Sequence, residues 1–426
     1  MTLQDDFNVF IEKISSIDFN DIDTKYKRIC KKLNQYYYKS DSDSDNSKPV
    51  SSIGRGTAIK NISDLDMLFK IPKTTFDKFN AYENQGQSQL LQEIKNVLIE
   101  TYPRSYIKGD GQVVVIDFST QHLEILPAFY IGNNTYKFPD TKDGGSWKET
   151  KPDLEIKAIK DADKANGILI NLCKMIRAWK NETGVNLNGL LIDTLVYNFL
   201  KENANVKIYQ ANYFLLIMDF FDFLKNIDDD QEYFLAPGSK QRVYKSGKII
   251  KKAKTTYNNL LKMKEANVYN LASVFGQWFP TLSQFSLCES VSMSDFNNTE
   301  EFIENKYIID IQYDLSIECI VKQNGFRTTL LSKIGLLKSK KNLEFYIDKC
   351  DVPKPYEVLW KVRNVGKEAI KRDCIRGQIV RSENEERKRE PAVFSGPHYV
   401  ECYIIKNGTC VARDRIDVPI KIENLF

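Results

Sequence analysis

Ser51-Ser52-Ile53-Gly54-Arg55-Gly56-Thr57-Ala58-Ile59-Lys60-Asn61-Ile62-Ser63-Asp64-Leu65-Asp66 is the stretch whose reading decides the fold. A Ser/Gly-rich turn leads into two aspartates at i and i+2. From Asp64 to Ile71 polar and apolar residues then largely alternate, as on a half-buried strand. Residues i and i+2 of a strand share a face, so Asp64 and Asp66 repel each other closely unless divalent cations bridge them. Carboxylate oxygens suit Mg²⁺, and Mn²⁺ can substitute. Upstream, the backbone N–H groups of Ser51, Ser52, Gly56 and Thr57 can converge on an anion, and their small side chains admit a triphosphate. Arg55 and Lys60 add positive charge. Metals beside a phosphate cradle point to in-line attack of a hydroxyl on an α-phosphorus, which is nucleotidyl transfer.

A third carboxylate is expected to complete the metal site. Gln112–Phe118 and Gln121–Phe129 flank the polar link Ser119-Thr120 and read as a β-hairpin, with Asp117 on one arm and Glu124 on the other. Glu124 is preferred, because His122-Leu123-Glu124-Ile125-Leu126-Pro127 sets an acid among apolar neighbours where unpaired burial is costly. Asp117 is held in reserve.

Outward from this centre, apolar residues recur at helical spacing over residues 5–37, as one long helix or two consecutive ones, and Ser40 to Pro49 reads as an exposed loop. Helical periodicity returns over Phe76–Tyr102. From Ile159 to Phe285 nearly everything reads as helix, including Ala165–Thr183, Leu190–Glu202 and Ser246–Ala266. Residues 286–305, rich in Ser, Asn and acids, read as a linker. Beyond it, strand-like segments (Ile308–Val321, Tyr356–Val362, Tyr399–Ile405, Thr409–Arg413) are divided by Gly, Asn and Pro. The expected architecture is α+β. It comprises a nucleotidyltransferase core (1–158), a helical subdomain (159–285), a linker (286–305) and a small β-rich, sandwich-like domain (306–426).

The 426-residue length implies two or three domains. Sixty-one basic against 57 acidic residues leave a net charge of +4, which requires no long nucleic acid as partner. Eight scattered cysteines without a CxxC pair, and only two histidines (His122 and His398), argue against zinc. The acidic start MTLQDDFNVF lacks the pattern of a secretory signal, and no apolar run is long enough to span a bilayer. A cytoplasmic protein with reduced thiols, not associated with a membrane, is expected.

With these residues in place, the sequence resembles the bacterial cyclic-oligonucleotide synthases, relatives of animal cyclic GMP-AMP synthase and the oligoadenylate synthases within the DNA polymerase β superfamily. Their GS-x-x-x-GT, DxD and later strand acid before proline match Ser51-Ser52, Gly56-Thr57, Asp64/Asp66 and Glu124-Ile125-Leu126-Pro127. Two positions depart: Ser51 replaces a glycine, and Glu124 stands where aspartate is commoner. Leu172-Cys173-Lys174-Met175-Ile176-Arg177-Ala178-Trp179 looks like the family helix whose basic residue contacts nucleotide phosphate. Arg177 occupies that place, and Lys174 lies one turn earlier on the same face. Asn188-Gly189 fall where relatives have a small polar nucleotide contact, and Phe275-Gly276-Gln277-Trp278-Phe279-Pro280 resembles their closing helix motif.

Residues 310–426 resemble the adenylyl/guanylyl cyclase- and SMODS-associated C-terminal sensor domain (AGS-C) through Leu359–Ala369, Phe394–Glu401 and Asn407–Asp414. His398, Tyr399, Arg363, Arg376 and Arg413 offer an anion pocket there, although sandwich strands commonly expose such side chains, and that plainer reading is preferred. The resemblance implies joining of NTPs, ATP among them, into a cyclic di- or trinucleotide or short oligonucleotide. Such a messenger would activate an effector in antiphage (CBASS) defence, with a nucleotide as a possible ligand of the C-terminal domain. Transfer of a nucleotide to protein or RNA, as in toxin-type relatives, and a catalytically dead nucleotide-binding regulator are the alternatives.

Overall fold

The computed structural model describes residues 2–60, 64–118, 122–203, 206–245, 247–280, 300–322, 327–334, 337–339, 341–372, 374–381 and 386–421, with backbone alone for Asp64, Lys338, Lys367 and Lys421. The Ser119-Thr120 link and residues 286–299 of the expected linker lie outside these residues, as does the Asp64 side chain. The chain divides into two compact units, one of Met1–Arg177 and Asn188–Lys245, the other of Ala178–Leu187 and Ser246–Phe426. No helix among the described residues is long and apolar enough to cross a membrane. Every described cysteine is a free thiol.

The first unit begins with α1 (Leu3–Ser15), capped by Thr2, and α2 (Asn20–Tyr38). These are followed by β1 (Ser47–Pro49), α3 (Ser51–Arg55) and β2 (Asp64–Lys70). The end of the expected Ser40–Pro49 loop is thus a strand, paired antiparallel with β2 at the sheet edge, a place that tolerates a proline. The periodicity over Phe76–Tyr102 resolves into α4 (Lys73–Asn80) and α5 (Gly86–Ile99). The two helices approach closely at Gly86, where a Cβ would lie 2.0 Å from the Phe79 carbonyl oxygen.

Then come β3 (Tyr106–Asp110), β4 (Val113–Asp117), β5 (His122–Gly132), β6 (Thr135–Asp140) and β7 (Ser146–Thr150). The sheet order is β1-β2-β5-β4-β3, with β6 pairing β5 and β7. β2 and β5 are parallel, whereas β4 and β5 form the expected antiparallel hairpin. Alternation decides the two faces. Leu65, Met67 and Phe69 of β2, Val114 and Ile116 of β4, and Leu123 and Ile125 of β5 pack into one core with Ile29 and Leu33 of α2 and Leu90 and Ile94 of α5. The intervening residues face the other way.

The unit is completed by α6 (Pro152–Asn166), α7 (Leu169–Thr183, in this unit as far as Arg177), α8 (Gly189–Glu202), α9 (Val206–Ala211) and α10 (Tyr213–Lys225). A small hairpin, β8 (Tyr233–Leu235) and β9 (Arg242–Tyr244), interrupts the stretch expected to be helical.

The second unit holds α11 (Ile249–Ala266) and α12 (Ala272–Phe275), which ends on the first residue of the expected closing motif, so that residues 276–280 lie beyond the helix. The Trp179 indole donates to Thr256 of α11 at 2.9 Å. Its β region comprises β10 (Ile308–Ile309), β11 (Leu315–Lys322), β12 (Thr329–Leu330), β13 (Leu337–Lys338), β14 (Lys341–Cys350) and β15 (Glu357–Arg363), then β16 (Arg376–Arg381), β17 (Arg387–Ala392), β18 (Gly396–Lys406) and β19 (Thr409–Lys421). They form two sheets, β10-β19-β18-β15-β16 with β13 beside β19, and β12-β11-β14-β17. Both sheets feed one core around Trp360, Phe345, Cys319, Cys402 and Ile404. That is a sandwich. Residues 300–305 are packed onto it: the Ile379 N–H donates to Glu301, and Tyr399 donates to Glu300.

Candidate functional site

The face of the first sheet opposite the core shared with α2 and α5 carries the acids beside a second apolar cluster that includes Leu68 and Ala128. In the parallel β2–β5 pair Asp64 stands opposite His122 and Asp66 opposite Glu124. In the β5–β4 pair His122 stands opposite Asp117 and Glu124 opposite Val115. Two rows of paired positions therefore cross the sheet, Asp64–His122–Asp117 and Asp66–Glu124–Val115, alternating along the strands with the positions that fill the apolar core. Neighbouring strands are separated by about 4.8 Å and i, i+2 positions by about 6.6 Å, so Asp64, Asp66 and Glu124 form a compact triangle. His122 and Asp117 are joined through Nδ1 and Oδ1 at 2.6 Å. Asp66 and Glu124 are half-buried.

This donor set consists of hard carboxylate oxygens of like charge on adjacent strands, which fits Mg²⁺ or Mn²⁺. No cluster of three or more metal-binding side chains is present among the described residues, to which the Asp64 carboxylate does not belong.

The turn before β2 is a short helix. α3 starts at Ser51 with φ +53° and ends at Gly56 with φ +77°, so both ends of the turn are left-handed. Gly54 is fixed by packing: a Cβ there would lie 2.7 Å from the Pro49 carbonyl oxygen and 2.9 Å from Ile156 Cδ1. Ser51 and Ser52 are half-buried, while Arg55 and Thr57 are buried.

Arg55 does not add charge at the surface. Its Nε donates to Asp193 Oδ2 at 2.6 Å, and the Thr57 hydroxyl donates to the same oxygen at 3.0 Å. Arg177 also turns to Asp193, with Nη1 donating to Oδ1 at 2.6 Å and Nη2 to Oδ2 at 3.0 Å. Burial acts to raise the Asp193 carboxyl, but Arg177 and Arg55 outweigh it and hold it at about 2. Glu155, 4.0 Å from Arg55 and accepting from the Ser239 hydroxyl at 2.8 Å, completes the cluster. Burial moves its carboxyl upward, against Ser239 and Arg55. Asp193 escaped the sequence reading. Its signal was a lone acid in Leu190-Leu191-Ile192-Asp193-Thr194-Leu195-Val196, the argument that selected Glu124.

Lys60 and Lys174 lie at the end of α1. The Lys60 N–H donates to the Ile14 carbonyl at 2.6 Å, and Lys174 Nζ donates to Ser15 Oγ at 2.9 Å. Burial lowers the Lys174 ammonium. Asn188 is the N-cap of α8, its side chain accepting from the Leu191 N–H at 2.7 Å.

In the second unit, the five side chains considered for an anion pocket have internal partners. Arg363 pairs with Glu300, Arg376 with Glu390, and Arg413 with Glu182, Glu304 and Glu401. Tyr399 donates to Glu300, while His398 accepts from the Val365 N–H through Nδ1 and meets the Phe394 carbonyl through Nε2.

Residues 1–163 match the family described as the Second Messenger Oligonucleotide or Dinucleotide Synthetase domain (SMODS), and residues 297–421 match the Adenylyl/Guanylyl and SMODS C-terminal sensor domain. No curated protein matches the chain. Among solved structures, CdnC of E. coli MS115-1 with ATP is similar at 18% identity and TM-score 0.48, over 65% of this chain and 98% of that one. CdnG of Bradyrhizobium diazoefficiens with GTP is similar at 11% identity and TM-score 0.46, over 65% and 96%. The Vibrio cholerae DncV cyclic AMP-GMP synthase is similar at 12% identity and TM-score 0.43, over 66% and 93%.

Proposed function

Because this chain is a nucleotidyltransferase that pairs a SMODS domain with an AGS-C domain, we propose that it joins NTPs, ATP among them, into a cyclic di- or trinucleotide or a short oligonucleotide second messenger. The observation that carries the proposal is the register of β2 against β5, which sets Glu124 beside Asp66 on the strand face that also bears Asp64. Asp117 is engaged by His122 one row away, which favours Glu124 as the third ligand. Held by Asp64, Asp66 and Glu124, a pair of Mg²⁺ ions would supply Lewis-acid activation of the attacking hydroxyl and charge neutralisation at the departing pyrophosphate.

The chain's own residues bind and orient the nucleotide. Ser51, Ser52, Gly56 and Thr57 shape the turn that faces the triphosphate, and Lys60 and Lys174 bring cationic charge to its side. Asn188 and Arg177 fix the start of α8 next to that turn. In the cell such a product would activate an effector in antiphage (CBASS) defence, with the AGS-C domain as the sensor, in the cytoplasm. Since Arg363, Arg376 and Arg413 are already neutralised by acids, a nucleotide sensed by that domain would be held by other groups.

Incubating the purified chain with labelled NTPs and Mg²⁺ or Mn²⁺ is expected to give a small phosphatase-resistant product, and Asp64→Asn with Asp66→Asn to abolish it. Label appearing on protein or RNA, or product surviving the double change, would refute the proposal.

A further inference from the structure

We propose that Asp193 is a positioning residue for the nucleotide turn, and that Arg177 serves the site through Asp193 without touching the nucleotide. The inference rests on the reading of residues 51–57 as that turn. Asp193 is fully buried in α8 between Ile192 and Thr194. Its Oδ2 accepts from Arg55 Nε, Thr57 Oγ1 and Arg177 Nη2, and its Oδ1 accepts from Arg177 Nη1. Arg55 and Thr57 lie on either side of Gly56, the left-handed residue that ends α3. One carboxylate therefore pins both flanks of the turn.

Arg177 has little left to offer a phosphate. Nη1 also donates to the Cys173 carbonyl at 3.4 Å, and Nη2 to the Gly189 carbonyl at 3.0 Å. Each Nη carries two hydrogens, so all four are committed. A Cβ on Gly189 would stand 3.1 Å from Arg177 Nη2, so the residue that opens α8 leaves room for the guanidinium. The cluster is balanced in charge, Arg55 and Arg177 against Asp193 and Glu155. Removing Asp193 alone strands two buried cations against Glu155, whereas removing Asp193 and Arg177 together leaves Arg55 facing Glu155.

The test is a double-mutant cycle read by ATP affinity in the presence of Mg²⁺, with thermal unfolding of each variant and the KM and kcat of product formation alongside. Asp193→Leu and Arg177→Met are each expected to weaken ATP binding by about tenfold or more, while the pair binds within about threefold of the unaltered chain. A residue that touched phosphate would leave the pair as weak as Arg177→Met, and losses that multiply, or that equal Arg177→Met alone, overturn the inference.

If Asp193→Leu does not fold by itself, Thr57→Val asks the same question without stranding a charge. It should weaken ATP binding about threefold in the unaltered chain and leave the Asp193→Leu/Arg177→Met background unchanged. Equal weakening in both overturns the proposal. An unaltered chain that neither binds nor converts NTPs would defeat the functional reading as well, whereas multiplying losses in an active chain defeat only the role given to Asp193.

Discussion

Ser51 holds φ +53°, a conformation that costs a residue bearing a Cβ roughly 1 kcal/mol and glycine nothing. Glycine is what the family resemblance implies there, and the left-handed backbone suits it. The strain is carried in the turn proposed to face the triphosphate, where a fixed backbone matters more than a relaxed one. Ser51→Gly is expected to raise unfolding free energy by no more than about 0.5 kcal/mol, the relief of strain less the added freedom of glycine in the unfolded chain. A urea titration of both forms checks it, and a destabilised variant would show that the Ser51 hydroxyl makes a contact worth more than the strain. Asp193 stood out in the sequence only as a lone acid among apolar residues; its partners Arg55 and Arg177 lie 138 and 16 residues away, and no local pattern encodes such a convergence.

At the scale of elements, the alternation in β2 and β5 made the Asp64, Asp66 and Glu124 face legible, because one buried side forces every second residue to the other. The short strands β1, β6, β7, β8 and β9 were not legible; three- to six-residue strands carry too few alternations to stand out from turns.

In the second unit, residues 181–184 at the end of α7 meet β18 and β19 through charge. Arg413 Nη1 lies 3.4 Å from Glu182 and 2.9 Å from Glu304, and Nη2 lies 2.8 Å from Glu401. Burial raises the Glu182 carboxyl to about 7 against the pull of Arg413, while Lys361 and Arg413 overcome burial to hold Glu401 well below the usual range. For Glu182 the folded pKa exceeds the unfolded one, so the native state binds the extra proton between pH 4.5 and 7. Its contribution is full below pH 4.5 and is lost as the pH rises through 7. His398, lowered by burial, acts in the opposite sense over part of this window. Glu182→Gln isolates the effect: unfolding free energies at pH 5 and 7.5 should differ between the two forms by an amount on the order of 2 kcal/mol. An identical pH dependence in both would contradict the assignment.

For the whole molecule, the α+β class and the β-rich C-terminal region were legible because composition and periodicity change along the chain. The compact units were not, since residues 178–187 join the strands beyond residue 300 and 188–245 join the N-terminal sheet. Contact between distant segments decides such a partition, and a linear reading sees only neighbours.

Across that architecture the chemistry is assigned to one triangle of carboxylates. Comparison of kcat for product formation from NTPs by Glu124→Gln and Asp117→Asn tests this most directly. Glu124→Gln is expected to lose about a thousandfold or more while Asp117→Asn stays within about tenfold of the unaltered chain. Near-normal turnover by Glu124→Gln, with loss in Asp117→Asn, would contradict it.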